Sequence, residues 1–269
     1  MCLKNKRLFL RLSALLLATS FTFIFGISIF AKHSEAAAYS WYCKRTSDHS
    51  QPSLDTQFKF IENHQCYYIN KNAESAGDKV LYLTFDAGYE NGNVAKILDV
   101  LKKQEVGGAF FILDNLITSD TPLVQRMANE GHLVCNHTMK HHDMTKCHDS
   151  TAFAAELDGL CSLCSDVAGI EMARLYRPPE GRFSEENLSF AEQAGYKTIL
   201  WSFAYADWDN NKQPSPEYAK EKILANTHNG AVILLHPTSA TNAAILEELI
   251  IEWKNQGYRF GSLNELYAS

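Results

Sequence analysis

From Lys79 onward the chain alternates between short apolar runs and amphipathic stretches, an order that few folds accept. The apolar runs occupy residues 80–85, 109–113, 132–135, 175–176, 198–201 and 231–235. Stretches with helical spacing lie at 93–104, 122–130, 152–168, 185–194, 216–225 and 242–255. Runs without polar alternation suit strands buried on both faces, and regular alternation with helices places such strands in a parallel sheet. Gly131, Gly195, Gly230 and Gly257 each stand between a helical stretch and an apolar run, where a left-handed C-cap favours glycine. About six or seven βα units result, and these fit either a barrel or an open doubly wound sheet.

The polar residues cluster where such a fold does chemistry. Asp86, Arg177 and His236 each directly follow an apolar run, and His137 follows one after Asn136. In parallel α/β folds the βα loops all open on the C-terminal edge of the strands, so four separate segments converge on one rim. His137 and His141 stand four residues apart, a spacing that puts both imidazoles on one side of a helical turn and suits a divalent metal. His142 and Asp143 follow at once, in what a bland reading makes a solvated turn.

The first residues differ in kind from the rest. Lys4, Lys6, Arg7 and Arg11 precede an uncharged apolar run at 12–31, and small residues follow at Ala36, Ala37 and Ala38. Residues 1–38 therefore read as an export segment, either a cleaved signal peptide or a retained membrane anchor. Residues 39–77, rich in Ser, Asn, Gln, Lys and Tyr without periodicity, read as an extended, aromatic lead-in to a catalytic domain at 78–269. Residues 1–38 carry +4, and removing that from the chain's −6 leaves −10 on the body. An acidic body argues against a nucleic-acid or anionic-membrane footprint. Six of the seven cysteines lie in the body, where export permits disulfides; a domain this size does not need them, so they read as small buried hydrophobes. Cys161 and Cys164 fall inside a helical stretch without a second pair at zinc-site spacing.

Five stretches, in order, carry a resemblance: Thr84-Phe85-Asp86-Ala87-Gly88, His137-Thr-Met-Lys-His141, Arg177-Pro-Pro-Glu-Gly181, Asp207-Trp208 and Leu234-Leu235-His236. The chain resembles the polysaccharide deacetylases, the NodB-homology group or carbohydrate esterase family 4, over about residues 78–267. Residues 84–92 (TFDAGYENG) and Asp48-His-Ser-Gln-Pro52 are similar to the branch that acts on N-acetylmuramic acid in spore-cortex peptidoglycan, on the way to muramic δ-lactam. The resemblance implies an α/β fold, a distorted (β/α) barrel of about seven strands, with an open sheet as the alternative. It implies an exported hydrolase whose partner is the peptidoglycan glycan strand. Two rival readings stay open: a deacetylase of N-acetylglucosamine in peptidoglycan or of chitin-like oligomers, and a catalytically silent wall-binding protein.

The same resemblance distributes roles. Asp86 would be the general base, His236 the general acid, Asp207 the partner that raises the His236 pKa, and Arg177 the group that orients Asp86 and keeps it ionised. His137 and His141 would hold a divalent metal, zinc or similar. Pro178 and Pro179 have no N–H, so Glu180 offers the first backbone donor of its loop for an oxyanion hole. Trp208 would wall the acetyl or sugar face, while Trp201 and Leu234 read as core. The chain departs from the wider family at Ala87, where most members place an aspartate ligand; alanine coordinates nothing, so the metal half is expected to be weakened. Asp143 is the remaining candidate for a third ligand.

Overall fold

A computed structural model describes residues 37–267 apart from Ser47. Ten strands occur among these: β1 (Tyr39–Ser40), β2 (Cys66–Tyr67), β3 (Val80–Ala87), β4 (Ala109–Ile112), β5 (Leu133–Asn136), β6 (Ala173–Tyr176), β7 (Arg182–Phe183), β8 (Lys197–Ile199), β9 (Ala231–Leu235) and β10 (Arg259–Phe260). Eight form one sheet in the order β10-β3-β4-β5-β6-β8-β2, with β9 also on β3, and every pairing is parallel. Isolated bridges, Ile69 to Ala231 and Phe203 to Ile233, curl the β2 end back toward β9. The result is the distorted (β/α) barrel; β10, a short strand along the start of β3, is added to the seven expected.

The period of two along β3 divides the core. Val80 and Tyr82 point inward with Ala109, Phe111, Cys135, Leu175, Ile199 and Val232, while Leu81, Leu83, Phe85 and Ala87 pack against the helices. Both faces of the strand are thus apolar, which explains the uninterrupted run in the sequence. Helices answer with matching stripes: Val94, Ile97, Leu98 and Leu101 of the Val94–Lys103 helix are all fully buried. Burying each such side chain contributes about 1.5–3 kcal/mol.

Several boundaries move because of capping. The Ser150–Ala168 helix begins two residues before the expected 152, since the Asp149 carboxylate accepts from the Ala152 N–H at 2.7 Å. Ser239 likewise caps the Ala240–Asn255 helix, two residues ahead of the expected start. A short helix at Asp114–Ser119 has no counterpart in the expected pattern. Gly131, Gly195 and Gly257 do take left-handed φ beyond helices. Gly230 does not cap one: its helix ends at Ala225, and a Cβ at Gly230 would lie 2.5 Å from the Asn70 carbonyl oxygen. Close approach of two backbones, not helix termination, selects glycine there.

The extended reading of 39–77 is corrected more substantially. This stretch holds a 3-10 helix at Thr56–Asn63, the Lys71–Ser75 helix and β2, which pairs with β8 as the last wall strand. Its aromatics, Trp41, Phe58 and Tyr68, are buried in a cluster with Phe183 and Leu200. The segment is part of the barrel, and periodicity missed it because its elements are too short to display one.

All six body cysteines are free. Cys66, Cys135 and Cys164 are buried, as small hydrophobes would be. No helix among the described residues is long and apolar enough to cross a membrane. The export reading of residues 1–38 falls on 1–36 almost entirely, outside the described residues.

Candidate active site

Asp86 is the penultimate residue of β3, on the inward face two residues beyond Thr84. Arg177 follows β6, is fully buried, and donates from Nη1 to Asp86 Oδ1 at 2.7 Å. Its other donors are also engaged: Nη2 to Thr84 Oγ1 at 2.9 Å and Nε to the Ile199 carbonyl at 3.1 Å. The guanidinium lies 4.1 Å over the Phe111 ring. Thr84, whose hydroxyl donates to the Ile233 carbonyl, is a part of this grip that a sequence motif does not reveal. Burial by itself would raise the Asp86 carboxyl; the charge of Arg177, ahead of His137 and His236, outweighs it and holds the group below the ordinary carboxylate value.

His137 follows β5, where the register with β6 shifts between Cys135 and Asn136. Its Nδ1 faces the Arg177 carbonyl at 2.8 Å, so Nδ1 carries the proton and Nε2 is left with its lone pair. That Nε2 stands 3.6 Å from Asp86 Oδ2. Burial pushes His137 down to about 4, leaving the imidazole neutral at ordinary pH, as a metal ligand must be. The His141 ring stands 5.0 Å from that of His137, centroid to centroid. The segment between them is not the helical turn expected: Thr138 and His141 have φ of 70° and 58°, and a loop brings the two rings together. Asn136, fully buried, supports it by accepting from the Thr138 N–H at 2.9 Å and donating to the Leu157 carbonyl at 2.8 Å.

As a metal site the set fits a pair of imidazoles. Among the described residues no group of three or more His, Cys, Asp or Glu side chains is arranged to hold an ion. Ala87 is packed in the apolar cluster under the helices. Asp143 does not replace it: one oxygen caps the turn at Thr145 and the other pairs with Arg182 at 3.3 Å.

Opposite, His236 follows β9 and its Nδ1 lies 2.7 Å from Asp207 Oδ1, while its backbone N–H donates to Asp207 Oδ2 at 2.8 Å. Asp207 is buried. Asn242, which the sequence did not single out, donates to the same Oδ2 at 2.7 Å and to the His236 carbonyl at 3.0 Å; Tyr205 in turn donates to Asn242 Oδ1. Burial would lower the His236 pKa, but the hydrogen bond and charge of Asp207, joined by Asp86, raise it above the ordinary 6.5. With Nδ1 committed to Asp207, Nε2 is the proton-bearing edge left for a ligand.

A cavity of about 600 Å³ joins both halves, lined by Asp86, His137, His141, Glu180, Trp208 and His236 among others. Trp201 and Leu234 line it too, so they are walls and not simply core. Trp208, 62% exposed, stands edge-on to the His236 ring, and the exposed Tyr89 accepts from Asn210. Glu180 is exposed with φ 56°. The residues after Tyr89 are structural: the Glu90 carboxylate receives the Val94 N–H at 2.9 Å, and Asn91 and Asn93 both donate to the Thr238 carbonyl. They tie the end of β3 to the loop after His236.

The chain is similar to known proteins over most of its length. The polysaccharide deacetylase family matches residues 73–199, which include Asp86, His137, His141 and Arg177. The peptidoglycan-N-acetylmuramic acid deacetylase PdaA of Bacillus subtilis is 37% identical over 228 residues, 84% of this chain and 85% of that protein. Its solved structure, described as a family 4 carbohydrate esterase, superposes with a TM-score of 0.80 over 85% of this chain and 96% of that one, at 36% identity. A family 4 carbohydrate esterase from Bacillus anthracis superposes with a TM-score of 0.69 at 31% identity, over 86% of this chain and 96% of that one.

Proposed function

The chain belongs to the polysaccharide deacetylase family, carbohydrate esterase family 4, and on that premise we propose that it removes the N-acetyl group of N-acetylmuramic acid in peptidoglycan, a step toward muramic δ-lactam in spore cortex. The observation that carries the reading is the buried Arg177–Asp86 pair facing the Asp207–His236 pair across one cavity, in a chain 37% identical to an N-acetylmuramic acid deacetylase.

In this reading Asp86 takes a proton from the water that attacks the acetyl carbonyl carbon, and Arg177 keeps the carboxylate ionised and aimed. The oxyanion of the tetrahedral intermediate receives the Glu180 N–H. His236, kept protonated by Asp207, donates from Nε2 to the sugar nitrogen as the C–N bond breaks, releasing acetate and a free amine. His137 and His141 would hold a divalent ion such as zinc, whose chemistry there is to polarise the carbonyl and acidify water. Trp208 and Tyr89 offer faces for the saccharide ring. Such a substrate lies outside the cytoplasmic membrane, which agrees with an export segment at residues 1–38.

The test is mass spectrometry of peptidoglycan fragments after incubation with the protein, with and without chelator. Loss of one acetyl group from muramic residues is expected. Loss only from glucosamine residues, or from neither sugar, would overturn the assignment.

A further inference from the structure

We propose that residues 39–45 form a clamp that sets the reactive geometry of the cavity walls, with Trp41 as its positioning residue. The inference rests on the function proposed above, because one wall carries the Glu180 N–H.

Three ties from this short segment reach the site. β1 pairs antiparallel with β7, directly after the Arg177–Gly181 stretch, and the Trp41 N–H donates to the Gly181 carbonyl at 2.9 Å. The Trp41 indole Nε1–H donates to the Trp201 carbonyl at 2.8 Å, on the adjoining wall. Arg45 donates to the Ala204 carbonyl and lies 4.9 Å over the Phe203 ring. Trp201, Ala204 and Glu180 all line the cavity. One stretch of chain therefore grips both the loop that offers the oxyanion donor and the wall beside it.

Gly181 shows how close the grip is. It has φ 64°, and a Cβ there would lie 2.7 Å from the Trp201 ring and 3.1 Å from Trp41 Cβ. The loop is thus pressed between two tryptophans at the residue directly after Glu180. Trp41 cannot retreat, because Phe58 and Tyr68 stand behind it with ring centroids at 5.0 and 5.1 Å. Neither Trp41 nor Arg45 lines the cavity, so they act through the walls they hold. Displacements of about 1 Å at a reacting centre lower turnover by up to about 100-fold, which is the scale on which such a clamp matters.

The experiment compares the full chain with Trp41→Phe, which keeps a ring in the cluster and removes the indole donor, and with Arg45→Ala at an exposed position. Acetate release from muramic glycan gives kcat and KM, and thermal melting reports the fold. Trp41→Phe is expected to lower kcat about tenfold with KM within about twofold, and to leave both limbs of the pH profile in place because Asp86 and His236 keep their partners. Arg45→Ala is expected to show the same signature at about threefold. Unchanged kcat in folded variants, or a change confined to KM, overturns the clamp; if Trp41→Phe does not fold, Arg45→Ala decides alone. Wild-type protein that releases acetate only from another acetylated glycan overturns the substrate assignment instead, and the variants are then judged on that glycan by the same criteria.

Discussion

The two halves of the cavity are built by different means. Asp86 and His236 are gripped by buried side chains, Arg177 with Thr84 on one side and Asp207 with Asn242 on the other. His141 is exposed, sits in a left-handed backbone conformation, and has beside it His137 but, among the described residues, no third ligand. Charge is thus placed by a rigid network in the acid–base half, whereas the metal half relies on loop backbone and two imidazoles. A network of that kind fails when one member is removed, because the remaining charge is buried without a partner. A loop site fails by degrees, through occupancy.

The largest expected effect tests the first half. Asp86→Asn should lower kcat by roughly 1,000-fold, within the range for a general base, with the fold retained in circular dichroism; activity near wild type would remove Asp86 from the mechanism. Asp207→Asn should follow at about 100-fold, and it should also move the alkaline limb of the pH profile. The sign follows from the proposed reaction: as general acid His236 has to be protonated, and its pKa is raised, so activity should be lost as pH rises through a value above 6.5. Removing the Asp207 charge leaves Asp86 and Arg177 facing the imidazole and brings that limb to lower pH. An unmoved limb would mean that His236 is not the group titrating. The same raised pKa predicts that the stability contributed by the His236–Asp207 pair is present at low pH and fades as pH passes the folded value, a trend readable in melting temperature.

The metal half should respond more gently. Chelation is expected to cost about tenfold in kcat, restored by divalent ion at about millimolar concentration, the range for sites with few charged ligands. Tight retention of metal through dialysis against chelator would erase the contrast between the halves. His141→Ala should lower the affinity for added ion with little change in melting temperature, since the side chain is exposed.

The parallel α/β alternation was legible because β3, β4 and β9 are buried on both faces and so appear as unbroken apolar runs, whereas the barrel rather than an open sheet came only from the family resemblance. The sequence carried the positions of Asp86, His137, Arg177 and His236 because each lies just after such a run. It did not carry Thr84, Tyr205 or Asn242. Thr84 reads as one more residue of a strand and Asn242 as the first residue of a helical stretch, and their roles arise only when β9 and the Asp207 loop close on them. The helical turn expected between the two histidines was wrong because spacing alone does not distinguish a turn of helix from a loop with two left-handed residues. The lead-in was misread because a two-residue strand such as β2 gains its identity from its neighbour β8.

The free cysteines have a consequence for how such a molecule ages. Burial pushes the thiol of Cys43 up to about 12 and that of Cys164 to about 11, and raises those of Cys66 and Cys135 further. Oxidants and disulfides are attacked by thiolates, so these four sulfurs are chemical spectators at any pH where the enzyme would work. The barrel protects these four sulfurs by burying them, not by cross-linking them.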